Sequence, residues 1–323
     1  MTAPACDLGA PPPLEAEGPE LHLVATYPEN GAGTECTPQG PADCGVPRNV
    51  AFELRFDRYL LPKTAVRQSV LLYTGSRSNG VLLQPFYDVV ERVVVFRVSR
   101  GGLLEPGLLY HFEVVSPLDT GSNGFGFRAF DGAPLSKTND APVKLSFFTA
   151  RETPVAIAPP EAPSCFDASS VISRSGCAGG GCHSGSNAPM GLRLDSREGL
   201  LDTAIAHVAH EADTGPVSGQ AQVDPLRFGT GMPIIDPGAP GTSYLLYKLL
   251  TRPDNFGACT TKYNVELPEG VCPAPTEPER RRLLNWFVRL EPMPIGLPLD
   301  GGSQSLDLLQ RFIASGPETD NCP

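Results

Sequence analysis

The hydrophobic period of this chain changes across a proline-rich stretch, residues 151–163, and that change limits what the chain can become. Before it, apolar residues alternate. Phe52, Leu54 and Phe56 interleave with Glu53 and Arg55, Tyr110, Phe112 and Val114 with His111 and Glu113, and Val143, Leu145 and Phe147 with Lys144 and Ser146. Period two puts one face of a strand inward, and Val70–Tyr73, Val81–Phe86 and Val93–Val98 supply further short strands. After the stretch the period is helical. Tyr244–Leu250 forms one apolar segment, and Leu283, Leu284, Phe287 and Leu290 share a face behind the capping pair Thr276 and Glu279. Leu306, Leu309, Phe312 and Ile313 form a third stripe, stopped by Gly316-Pro317. With 34 glycines and 35 prolines in 323 residues, long helical bundles and coiled coils are excluded. The expected fold is therefore multidomain. A flexible tether covers 1–19, an all-β sandwich 20–150 and an extended linker 151–163, and an all-α domain with long loops covers 164–323.

Acidic residues outnumber basic ones 36 to 25, a net charge of −11, which gives no attraction for a phosphate backbone and argues against nucleic acid as a partner. No glycine-rich phosphate loop, nucleophile elbow or HExxH helix occurs. Nine cysteines at 6, 36, 44, 165, 177, 182, 259, 272 and 322 are many for a reducing compartment, so the expected location is oxidising: periplasmic, cell-surface or extracellular. Eight residues apart in a Gly/Pro-rich loop, Cys36 and Cys44 are placed to close a small disulfide ring. Ala3-Pro4-Ala5-Cys6 ahead of a Pro-rich stretch has the look of a mature lipoprotein start, with Cys6 lipidated as the only expected membrane attachment; a stray tail cysteine is the alternative.

The sharpest motif is Cys177-Ala-Gly-Gly-Gly-Cys182-His183. Two thiols followed at once by an imidazole is the arrangement that attaches a c-type haem. Two thioethers fix the porphyrin edge and the next side chain reaches the iron. The common spacing places two residues between the cysteines; here there are four, and the glycines leave that insertion free to bulge. Two other readings of these residues stand: a simple Cys177–Cys182 disulfide, or a zinc site built from Cys177, Cys182, His207 and His210.

Two resemblances follow from quoted motifs. Tyr27-Pro28 with Gly31, Asn49-Val50 leading to Phe56-Asp57-Arg58, Gly107–Tyr110 and Phe147-Phe148-Thr149 resemble the bacterial immunoglobulin-like domains of surface-layer and surface-anchored proteins. That resemblance implies spacing or adhesion. Residues 164–322 resemble the monohaem cytochrome c family: the attachment motif, then Gly191-Leu192-Arg193-Leu194, then Pro237–Leu245, then Met293-Pro294 before the last helix. This second resemblance implies haem c, with thioethers at Cys177 and Cys182 and His183 as proximal ligand. It implies Met293 as distal ligand, with Met232 in Gly229–Pro233 as the alternative and His207 or His210 behind it. A six-coordinate iron leaves no open position, so the implied role is one-electron transfer to a redox partner protein, with no catalytic residues. A haem-free, disulfide-stapled surface adhesion or scaffold protein is the competing reading.

If haem takes Cys177 and Cys182 and lipid takes Cys6, six cysteines remain, which proximity pairs as Cys36–Cys44 and Cys259–Cys272, leaving Cys165 with Cys322. Peptide mapping without reduction is expected to recover these three linked pairs; alkylation of Cys165 in the unreduced protein contradicts the third.

Overall fold

The computed structural model describes residues 18–36, 40–117, 125–152, 154, 162–179, 182–186, 188–209, 232–256, 262–265, 274–286, 288, 292–296 and 298–316. Cys6, His210, Cys259, Cys272 and Cys322 lie outside them, as do the side chains of Cys165 and Met190. The chain divides into two compact units. The first comprises residues up to 87, 92–158 and 263–266; the second comprises 88–91, 159–262 and 267 onward.

The first unit is built from seven strands: β1 Leu23–Tyr27, β2 Phe52–Phe56, β3 Val70–Thr74, β4 Leu83–Asp88, β5 Val93–Val98, β6 Leu109–Val114 and β7 Lys144–Phe148. They form two sheets, ordered β1-β2-β5-β4 and β3-β6-β7, and every pairing with a defined register is antiparallel. The sheets meet through aromatic rings. Phe52 of β2 stacks on Phe112 of β6 with centroids 4.9 Å apart, and Phe147 joins Phe52 at 5.6 Å. Phe96 meets Phe112 edge-on at 6.4 Å, and Phe56 packs on Phe127 at 4.9 Å. Such pairs are worth about 0.5–1.5 kcal/mol each beyond the area they bury.

Alternation predicts one buried face for β2, yet all five of its residues are buried. The reason is tertiary. Residues 263–265 cover the outer face of the β2–β5 pair, where Val265 joins Val93 and Val95 in an apolar cluster. Arg55 Nε donates to the Val265 carbonyl at 2.6 Å, and Glu53 Oε2 accepts from the Asn264 N–H at 2.7 Å. Each charge on that face thus gains partners where water is excluded. The same unit holds a buried ion pair. Arg58 Nη2 sits 2.6 Å from Asp131 Oδ2, with side chains 4% and 0% exposed, and the guanidinium lies over the Phe130 ring. Cys36 and Cys44 are joined by a disulfide with Cα atoms 5.7 Å apart.

The second unit corrects the expected fold class. Among the described residues no large all-α cytochrome c-like domain forms: two antiparallel sheets are a major part of the regular structure, and the described helices are few and short. They are α1 Cys165–Arg174, α2 Arg197–Thr203, α3 Tyr244–Leu250, α4 Glu277–Trp286 and α5 Gly302–Ala314. Extended bridges Ile205–Ile235 and Val208–Pro233 run between them. The physical reason is in the punctuation. Pro253 follows α3 closely, Gly301 at φ +81° starts α5 and Gly316 at φ +66° follows it, so no apolar stripe propagates beyond a few turns. Helix α1 packs on α5, and α3 packs on α5. The Lys262 ammonium lies 2.7 Å from the fully buried Asp88 carboxylate and also pairs with Asp307.

Phe52→Ala should cost about 3–5 kcal/mol through the cavity left between the sheets. Asp131→Ala should cost about as much, because it strips the carboxylate from a buried guanidinium. Urea denaturation followed by intrinsic fluorescence measures both; a loss below about 1 kcal/mol for either contradicts the assigned packing.

Candidate functional site

The loop that carries the two thiols and the imidazole is prepared by the end of α1. Ser164 caps the helix start, accepting from the Asp167 N–H while the Asp167 carboxylate accepts from the Ser164 N–H. At the other end Gly176 adopts φ +75°, the Cys177 N–H reaches the Ile172 carbonyl at 3.1 Å, and the Gly176 N–H reaches Ser173 at 3.0 Å. These paired bonds are the Schellman arrangement, and the glycine supplies the left-handed residue it needs. Cys177 is therefore the first side chain beyond a firmly stopped helix.

The four-residue insertion does not separate the motif's ends. The His183 N–H donates to the Cys177 carbonyl at 2.9 Å, and the Cys182 N–H donates to Gly179 at 2.9 Å. The chain doubles back, so the His183 backbone meets the Cys177 backbone despite the wide spacing. Cys177 is half-buried, Cys182 is exposed, and neither is in a disulfide. Burial pushes the Cys177 thiol up to about 11, the neighbouring Cys182 pushes the same way, and a backbone hydrogen bond offsets only part of this.

His183 is oriented from the far side. Its Nδ1 lies 3.2 Å from the Leu192 carbonyl, and its own carbonyl accepts from the Leu194 N–H at 2.8 Å. A carbonyl accepts only, so Nδ1 carries the proton and Nε2 is the lone-pair nitrogen, the atom a metal would take. The Gly191–Leu194 segment is thus a brace for the imidazole. Nearby, the Gly185 N–H donates to Asp195 Oδ2 at 2.8 Å.

Of the thioether candidates, Met232 is 7% exposed, and its carbonyl accepts from the Ala209 N–H. Met293 is half-buried in a loop whose far end returns to the motif's helix: the Asp300 N–H donates to Ser175 Oγ at 3.0 Å, and Asp300 pairs with Arg174 at 2.9 Å. That anchor is two residues before Cys177. The signal missed in the sequence is Arg252. Its Nη1 and Nη2 donate to the Pro294 and Gly296 carbonyls, while its buried Nε–H has no acceptor among the described residues. Its Nη2 also lies 3.7 Å from the Asp254 carboxylate, so the guanidinium already has an acidic partner. The residues that would hold a haem are thus two thiols outside any disulfide, an imidazole whose Nδ1 is committed to a carbonyl, and a thioether on an anchored loop.

Of the zinc arrangement His210 lies outside the described residues, and the other three members do not come together. Among the described residues, the group of potential metal ligands close enough to share an ion is Glu35, Cys36 and Cys44, whose sulfurs are bonded to each other. Cys177, Cys182 and His207 do not form one, and His207 is exposed with its N–H on the Ala204 carbonyl. No helix among the described residues is long and apolar enough to cross a membrane.

No family model matches the chain, and no curated protein matches it. Solved structures similar to part of it include the N-terminal part of the bacterial S-layer protein SbsC, at 9% identity and TM-score 0.27, covering 43% of this chain and 26% of that one. The S-layer protein rSbsC(31-844) matches at 8% identity and TM-score 0.27, and SbsC domains 1–6 at 10% and 0.27; each match covers 46% of this chain and 17% of the other. The chain thus spans about a quarter or less of those proteins, and likeness at these scores carries no argument.

The unequal burial of the two thiols predicts an order of reaction. In haem-free protein at pH 8, iodoacetamide should label Cys182 well before Cys177, whose thiolate fraction is about a thousandth at a pKa near 11. The Cys177 rate should climb about tenfold per pH unit. Equal labelling of both at pH 8 contradicts the burial of Cys177.

Proposed function

We propose that the Cys177–His183 loop holds a covalent haem c and that the protein transfers single electrons outside the cytoplasm. The observation that carries this reading is the His183 N–H to Cys177 carbonyl bond at 2.9 Å. It brings the His183 backbone back to that of Cys177 across the four-residue insertion, which supports attachment to one porphyrin edge despite the wide spacing. Cys177 and Cys182 would form the thioethers, His183 Nε2 the proximal bond and Met293 the distal one, with Met232 as its alternative. A haem held in this way supplies reversible one-electron chemistry at its iron. The chain's own residues do the rest: Leu192 fixes the tautomer, Gly176 ends the helix at the right residue, and the anchored loop presents the thioether. The two-sheet unit would serve as a spacer or docking module for a redox partner protein.

The Cys36–Cys44 disulfide supports an oxidising setting at the cell surface or beyond it. Within that setting we place the protein in the periplasm or at the outer surface, held by lipid on Cys6. The same disulfide and the aromatic-packed sheets favour a second reading, a haem-free surface scaffold.

Colour separates the two. Produced in a host with haem-attachment machinery, the protein should be red, retain haem through acid-acetone extraction and gain one haem in intact mass. A colourless product with unmodified cysteines supports the scaffold. Met293→Ala should abolish the weak far-red band of methionine-ligated ferric haem and lower the reduction potential; loss of the band in Met232→Ala instead moves the ligand to Met232.

A further inference from the structure

We infer that Asn255 and Arg252 are positioning residues for Met293, holding the loop Met293–Gly296 in the one conformation from which its thioether can serve as a ligand. The inference rests on the haem reading above and assigns two residues that no sequence motif singles out. Asn255 is fully buried at the end of the short 3-10 turn Pro253–Asn255. Its Nδ2 donates to the Leu249 carbonyl at 2.8 Å and to the Met293 carbonyl at 2.9 Å, and its Oδ1 accepts from the Leu299 N–H at 2.7 Å. Both amide hydrogens and the oxygen are thus committed, two of the three bonds to the segment that carries the methionine. Arg252 adds a fork: Nη1 on the Pro294 carbonyl at 2.5 Å and Nη2 on the Gly296 carbonyl at 3.2 Å.

Three carbonyls of the loop, at 293, 294 and 296, are therefore held by two side chains three residues apart. Within the loop Pro294 is buried and Met293 half-buried, so packing at its start adds to this clamp. Ile295 is 67% exposed, so the tip contributes little apolar packing. A loop without the clamp would lose backbone freedom when its thioether bound iron, and that entropy would be charged against the bond; a loop already held avoids the loss. The far end of the same segment is tied to the helix bearing the motif, through Asp300 to Ser175 and Arg174. The clamp and this tie together make the distance between Met293 and the Cys177–His183 loop a property of the fold rather than of the ligand.

The test uses the full chain with haem attached, comparing it with Asn255→Asp, Arg252→Lys and Met293→Ala. Asn264→Ala, which removes a side-chain bond to Glu53 in the two-sheet unit, serves as a stability control. Asn255→Asp keeps an acceptor for Leu299 and removes the two amide donors; Arg252→Lys keeps the charge and removes the fork. Both should retain covalent haem by intact mass, weaken the far-red band and lower the reduction potential. Both should also bind cyanide to ferric haem about tenfold faster, the change that follows from losing about 1.4 kcal/mol of loop closure. Asn264→Ala should leave all three readouts unchanged. If Asn255→Asp fails to accumulate, Arg252→Lys decides alone. Clamp variants indistinguishable from the unsubstituted chain overturn the positioning role while leaving the haem reading intact, as does a far-red band that survives Met293→Ala. Absence of covalent haem from the unsubstituted chain overturns the haem reading itself.

Discussion

The stacked pair Phe52–Phe112, with Phe147, Phe96 and the Phe56–Phe127 contact around it, is the interaction on which the two-sheet unit depends. Neither the four-stranded nor the three-stranded sheet buries its inner face without the other. Register follows from the same rings. Phe52 lies opposite Phe96, and Phe112 lies between Leu72 and Leu145, so a one-residue slip would turn the aromatic face outward.

In the second unit the organising element is the firm stop at the end of α1. Gly176 is the residue whose left-handed backbone allows the paired helix-ending bonds, and it sits immediately before the first thiol. The path of the thiol–imidazole loop then comes from main-chain groups. The Cys177 carbonyl receives the returning chain, and the Leu192 carbonyl sets the proton on Nδ1. Main-chain bonds of this kind do not depend on side-chain identity, which is how a motif with unusual spacing keeps a compact geometry.

The polar groups of the interior show the same economy in both units. Glu53 and Arg55 spend their charges on backbone groups of residues 264 and 265, Arg58 on Asp131, and Asn255 on three backbone atoms. A buried polar side chain without partners costs several kcal/mol in an apolar setting, and each of these has more than one.

The alternation of Phe52, Leu54 and Phe56, the helix start at Thr276 and the adjacency of Cys182 and His183 are local patterns, and the sequence by itself determined them. Each is decided by residues within a few positions, where backbone geometry alone sets which side chains share a face or a turn. The all-α reading of the second half came from apolar stripes of helical period and did not hold, because prolines and glycines between the stripes cut them into short pieces joined by loops and bridges. Burial of Glu53 and Arg55, the protonated nitrogen of His183 and the committed amide of Asn255 belong to the tertiary structure alone. Their partners lie 210, 9 and 38 residues away in the chain, as with Val265, Leu192 and Met293, and only folding brings such groups within the 3 Å or so over which a hydrogen bond acts.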